Sequence, residues 1–255
     1  MSLRYASWIP LLATAFLSNC GTRPAPKSDP KIIVAAAANL TDVFAEIGRA
    51  FKAKTGIEVI FSYGATAQLS QQIENGAPFD LFASADTEHV DTLVAAGKLT
   101  ADTRAVYATG QLVLWSPNGG KLGIHDLKDL ARPEVRFIAI AQPELAPYGR
   151  AAVDALHHAG LWEALKPKIV YAPSISQTKQ FAESLNADAA FMAFSLVLHD
   201  PGTIVKVDPH LYDRIDQALA IVASSTQIEA AKQFRSFVLG PGGRTIFSSN
   251  GYLIP

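Results

Sequence analysis

Cysteine is almost missing from this chain. Cys20 is the single one, so no intrachain disulfide can form and a paired-cysteine metal or redox site is excluded. Charge is scarce and balanced: 18% of the 255 residues are charged and the net charge is −1. With no basic stripe, nucleic acid is excluded as a partner, because that binding relies on clustered Lys and Arg. No apolar run after residue 30 approaches the roughly 20 residues of a membrane-spanning helix. There is no G-x-S-x-G nucleophile elbow, and "GPGGR" near the C-terminus lacks the Lys and Ser/Thr of a P-loop. The histidines at 89, 125, 157, 158, 199 and 210 show no metal-ligand spacing. Hydrolase and metal-binding receptor are therefore the weakest of the readings kept open.

What is present begins with a distinct leader. "MSLRYASWIPLLATAFLSNC" has an early cation, an apolar run from Trp8 to Leu17, then small and polar residues, the layout of a bacterial export signal. "TRPAPKSDP" follows as a Pro-rich tether. "LSNC" resembles a lipobox, which makes Cys20 a candidate lipid-attachment residue. The alternative is an incidental cysteine in a signal cleaved elsewhere.

From Lys31 onward, short β-branched runs alternate with helical patterns, which predicts an α/β architecture. "KIIVAAA" reads as a strand, and Leu40, Val43, Phe44, Ile47 and Phe51 then share one helical face, with Gly56 as the stop. Two further βα units follow, with Asp86 as the expected cap of the third helix. A second set of strands and helices occupies the middle of the chain. The apolar strands at 104–115 and 214–224 are expected to cross between two lobes, with the last helices packing back on the first lobe. The boundaries this predicts are a leader and tether at 1–30, a first lobe of 31–109 plus 223–255, and a second lobe of 110–222.

Several strand ends share one character. Asn39 follows the first strand and Thr66 the second, Tyr148 precedes the helix "GRAAVDALHHAG", and the segment "SISQ" around Ile175 opens the helix after "KIVYAP". Helix N-termini carry unpaired N–H groups and partial positive charge, so several converging in a cleft form an anion site without any Lys or Arg. Taken singly, Asn39 and Thr66 also read as ordinary caps, Tyr148 as a packing residue, and Asp42 as an acid placed favourably in a first turn.

The segments "AAAANLTDVF", "YGATAQLSQQIENGAPFDLFASAD", "QPELAPYGRAAVDAL", "ISQTKQFAESLNADAAFMAFS" and "FSSNGYLIP" resemble, in order, those of the periplasmic molybdate-binding proteins of ABC importers. The resemblance runs from Lys31 to Pro255. It implies a type II periplasmic-binding-protein fold: two lobes, each a mixed, mostly parallel sheet flanked by helices, joined by two crossing strands. It also implies a non-enzymatic monomer that captures molybdate or tungstate, uses no cofactor, and delivers the ion to an ABC permease and its ATPase. Carried over by position, the ligand-binding residues are Ala38, Asn39, Thr66, Tyr148 and Ile175. A tyrosine that some members place after a late strand falls on Ala193, so that hydroxyl is missing. A receptor for sulfate or phosphate is the alternative on the same fold. The implied location is periplasmic, tethered through Cys20 if that residue is lipidated.

Overall fold

The computed structural model describes residues 31–117 and 122–255; the leader, the tether and Cys20 lie outside them. The chain starts with β1 (Lys31–Ala37), a 3-10 turn (Ala38–Leu40) and α1 (Thr41–Thr55). β1 is flanked by parallel strands on both sides, β2 (Glu58–Gly64) and β3 (Leu81–Ala83). A strand in that position is covered on both faces and so reads as a continuous apolar run rather than an alternating one. The helix α1 buries Val43, Phe44, Ile47 and Phe51 as its spacing predicts, and Gly56 ends it at φ 76° with its N–H on Lys52 O. That left-handed φ is where a glycine stop is favoured. After β2 comes α2 (Thr66–Glu74), and after β3 comes α3 (Glu88–Ala95).

The chain then passes from one sheet to another. β4 (Ala105–Gly110) belongs to the first sheet and β5 (Leu112–Ser116), one residue later, to the second. The second sheet is completed by β6 (Ile138–Ala141), α4 (Pro147–His158), α5 (Trp162–Leu165), β7 (Ile169–Ala172), α6 (Ile175–Glu183), β8 (Ala189–Ala193), α7 (Phe194–Val197) and β9 (Thr203–Lys206). The chain returns through β10 (Ile215–Ile221) to α8 (Ile228–Leu239) and α9 (Pro241–Ser249).

The sheet orders are β2-β1-β3-β10-β4 and β7-β6-β8-β5-β9. In the first, β10 runs antiparallel to both its neighbours; in the second, β5 does. Each sheet thus takes its single reversed strand from chain that has just crossed over. This is a mixed, mostly parallel α/β arrangement in two parts, as the sequence predicts. One boundary needs correction. The expected second lobe of 110–222 includes β10, and the strand at 214–224 was expected to bridge the lobes. Hydrogen bonding instead places β10 wholly inside the first sheet, and the return crossing is finished by residue 214. Its run is apolar because it sits between β3 and β4, not because it spans a gap.

The last helices pack on the first sheet through aromatic rings. Phe44 meets Phe234 at 6.0 Å and Phe247 at 6.1 Å, and Phe51 meets Phe234 at 5.2 Å. Each fully buried phenylalanine contributes about 1.5–3 kcal/mol. This fixes α8 and α9 to the lobe that carries β1 and holds Tyr252, just beyond α9, behind the first strand-end turn.

Candidate functional site

The carboxyl ends of the parallel strands of both sheets face one another, the position where α/β folds gather their ligands. Between them is a narrow cavity. Its wall comes from Ala38 and Asn39 after β1, Ala65 and Thr66 after β2, Ala85 after β3, Tyr148 on α4 and Ile175 on α6. All five residues singled out from the sequence therefore meet at one place. Ala193 ends β8 and is not part of this wall. No Asp, Glu, Lys, Arg or His lines the cavity.

Short side chains after each strand let the helices begin close to the cavity. Neither α2 nor the 3-10 turn has a side-chain cap, since Ala65 and Ala37 occupy those positions. Their first N–H groups have no partner within their own helices. Thr66 begins α2 and is 1% exposed. Its Oγ1 accepts the Ala85 N–H at 3.3 Å, which leaves the hydroxyl proton to give. Ile175 begins α6, and the cap residue Ser174 spends its side chain on the Gln177 N–H rather than on that of Ile175. Tyr148 follows Pro147 in the first turn of α4 and is buried. Burial pushes its phenol well above the ordinary value, and the neighbouring Tyr252 adds to the rise. At neutral pH it is a proton-bearing hydroxyl.

Asn39 behaves differently from a cap. It sits inside the 3-10 turn, 1% exposed, and its Nδ2 donates to Gln217 Oε1 and to the Tyr252 hydroxyl, both at 3.0 Å. Its Oδ1 is buried with no hydrogen-bond partner among the described residues. Behind it, Tyr252 donates to Asn39 O at 2.8 Å and accepts from Ser195 Oγ at 3.0 Å. Tyr107 lies 2.8 Å from Ser84 O and 2.9 Å from Gln217 Oε1. Reading the strand ends alone misses these supporting residues. The available signal was Gln217, an amide that precedes the apolar run "ALAI" and is buried in the structure.

The two halves are in contact around the cavity. Ala67 N–H donates to Leu145 O at 3.1 Å, Ser176 Oγ to Ala38 O at 3.2 Å, and Ser195 Oγ to the Tyr252 hydroxyl at 3.0 Å. At one rim, Arg150 on α4 reaches Glu88 at 2.9 Å and Asp86 at 3.5 Å. Among the described residues no group of three or more His, Cys, Asp or Glu could hold a metal ion, and no helix is long and apolar enough to cross a membrane. What the arrangement can do is surround a small anion with neutral N–H and O–H groups drawn from both halves.

Comparison with known proteins agrees with this geometry. The family model of bacterial extracellular solute-binding proteins matches residues 32–253. The molybdate-binding protein of Rhodobacter capsulatus is 35% identical over 229 residues, 89% of this chain and 90% of that one. The molybdate-binding protein of Escherichia coli (strain K12) is 29% identical over 97% of this chain and 98% of its own. The solved structure of the periplasmic molybdate-binding protein of Azotobacter vinelandii superposes with a TM-score of 0.85 at 33% identity, covering 88% of this chain and 99% of that one. By fold, cleft and matched length, the chain belongs to the family of bacterial extracellular solute-binding proteins.

Proposed function

We propose that this protein is the substrate-binding receptor of an ABC importer and that its substrate is molybdate, with tungstate taken by the same site. The observation that carries the reading is the composition of the cavity wall, which offers hydrogen-bond donors from both halves and no charged side chain. Molybdate near neutral pH is a fully ionised tetrahedron that only accepts hydrogen bonds. Each charge-assisted bond to it is worth about 1.5–3 kcal/mol, and helix N-termini favour its charge. The cavity is far too narrow for the organic ligands that such pockets usually hold, which argues against a sugar, peptide or amino acid. The named relatives support the choice of ion.

In this reading the lobes are residues 31–110 with 215–255, and 112–206, following sheet membership. Ala38, Asn39, Thr66, Tyr148 and Ile175 are the contacts. A bound ion touches both lobes, so it favours the closed form and presents a single surface to the permease, which its ATPase drives. The protein binds without catalysing, needs no cofactor and acts as a monomer in the periplasm, tethered to the membrane if Cys20 carries lipid. Mass spectrometry of the mature N-terminus reads that last point directly.

Isothermal titration with molybdate, tungstate, sulfate and phosphate tests the assignment. Molybdate and tungstate are expected to bind most tightly, and Thr66→Ala to weaken molybdate tenfold or more, about 1.4 kcal/mol. Sulfate binding more tightly than molybdate would move the protein to the sulfate alternative, and an unchanged affinity in Thr66→Ala would remove the site.

A further inference from the structure

Behind the cavity wall, one side chain joins the two halves of the site without touching the cavity itself. Gln217 is wholly buried on β10 and absent from the lining. Its Oε1 accepts from Asn39 Nδ2 at 3.0 Å, and its Nε2 donates to the Tyr148 hydroxyl at 3.0 Å. Asn39 belongs to one lobe and Tyr148 to the other, and both line the cavity.

A primary amide has a donor end and an acceptor end, whereas a phenol has one proton to give. With Gln217 donating to it, Tyr148 keeps its own proton for another partner, while Asn39 spends both amide hydrogens on Gln217 and Tyr252. A joint half-turn of the Asn39 and Gln217 amides reverses the roles. Gln217 then donates to the otherwise unpartnered Asn39 Oδ1 and accepts the Tyr148 proton, and Asn39 Nδ2 is released. In either setting, one of the two lining residues is left with a hydrogen for a bound ion.

We infer that Gln217 is a positioning residue for selectivity: its amide keeps a proton donor facing the cavity and so sets the site against oxyanions that bring a proton of their own. This rests on the oxyanion reading above and deepens it. An ion with acceptors only satisfies such a donor. Monohydrogen phosphate must find an acceptor for its O–H or leave that group buried and unpaired, which is costly.

Sulfate and monohydrogen phosphate at pH 8 isolate this effect. They are doubly charged tetrahedra of similar size that differ by one proton. Their dissociation constants are measured by displacement of bound molybdate. The wild-type protein is expected to prefer sulfate by tenfold or more. Gln217→Glu is nearly isosteric, and as a carboxylate it only accepts, drawing the Asn39 and Tyr148 hydrogens onto itself. Its new charge weakens both ions, but the sulfate preference is expected to fall at least tenfold. Gln217→Met fills similar volume and claims neither hydrogen. With the Gln217 donation gone, the Tyr148 oxygen is free to accept as well as donate, so both ions are expected to weaken and the sulfate preference to fall at least threefold.

A merely structural role for Gln217 predicts that Gln217→Met weakens sulfate and phosphate equally and leaves their ratio unchanged, and that result overturns the inference. Equal displacement by sulfate and phosphate in the wild type overturns it even if neither variant folds. Failure of the wild type to bind any tetrahedral oxyanion sinks the receptor reading instead.

Discussion

Tyr148 is the residue on which site and hinge meet. Its hydroxyl lies against Gly110, the last residue of β4 before the chain crosses to the second sheet. A Cβ at Gly110 would sit 2.0 Å from that oxygen and 2.7 Å from Gln217 Nε2. The glycine is there to let the phenol approach the backbone, since neither neighbour is a surface side chain free to swing away. Gly110→Ala is therefore expected to displace Tyr148 and break its bond to Gln217. Overpacking of this kind costs about 1–3 kcal/mol. Urea denaturation should show a loss in that range and titration a tenfold or greater fall in molybdate affinity. A variant with wild-type stability and affinity would mean that Tyr148 is not held as described.

At the scale of single elements, the start of α3 carries a pH dependence. Asp86 was expected to cap this helix, and it does so from one position further back. The helix begins at Glu88 after Thr87, but Asp86 Oδ1 accepts the His89 N–H at 3.2 Å and Oδ2 takes His89 Nδ1 at 2.8 Å. Burial pushes the Asp86 carboxyl up, but the hydrogen bonds and charge of His89, with Ser84, outweigh it and leave the group below its ordinary value. The hydrogen bond to Asp86 raises His89 against the opposing effect of burial; Asp86 and Glu88 add attraction and Arg150 subtracts from it.

A raised histidine contributes stability in full below its ordinary value of 6.5, and the contribution is lost as pH rises through the folded value. A lowered aspartate contributes above 3.8 and loses that on acidification. The stability difference between wild type and His89→Gln is thus expected to be larger at pH 6 than at pH 8.5, read from urea midpoints at each pH. A difference independent of pH would show that the pair is not ionic.

The same scale shows what was legible in the sequence. β1, α1 and the Gly56 stop follow from local pattern, because Val43, Phe44, Ile47 and Phe51 repeat at helical spacing and a parallel interior strand is apolar throughout. Asn39, Thr66, Tyr148 and Ile175 were legible at strand ends and helix starts, which the parallel topology brings together, whereas Ala38 came only with the family resemblance. The membership of β10 was not, since an apolar run looks the same whether it spans two lobes or lies between two strands of one. Nor was the role of Gln217, whose partners Asn39, Tyr107 and Tyr148 are brought to it only by the sheet order.

For the whole molecule, the question is what sets the balance between open and closed lobes. Arg150 on α4 pairs with Glu88 and Asp86 at the start of α3, so these ion pairs exist only when the lobes are together. The Glu88 pair is largely exposed, with side-chain accessibilities of 47% and 66%, and such a pair is worth about 0.2–1 kcal/mol. That is too little to affect global stability noticeably, but it is a direct bias on closing, because all of it is lost when the lobes part. A bias of this size changes apparent affinity by about fivefold at most, since a ligand that needs the closed form binds in proportion to its population. Arg150→Ala is expected to weaken molybdate two- to fivefold with little change in Tm, and to enlarge the ligand-free radius of gyration in small-angle scattering. The wild-type advantage should also shrink at high salt, which screens an exposed pair. Exchanging the charges, with Arg150→Glu and Glu88→Arg together, should recover part of the loss, while leaving Asp86 facing the new Glu sets a limit on how much. If Arg150→Ala binds molybdate as tightly as wild type and scatters identically without it, closure is governed by the contacts around Asn39 and Tyr148 alone.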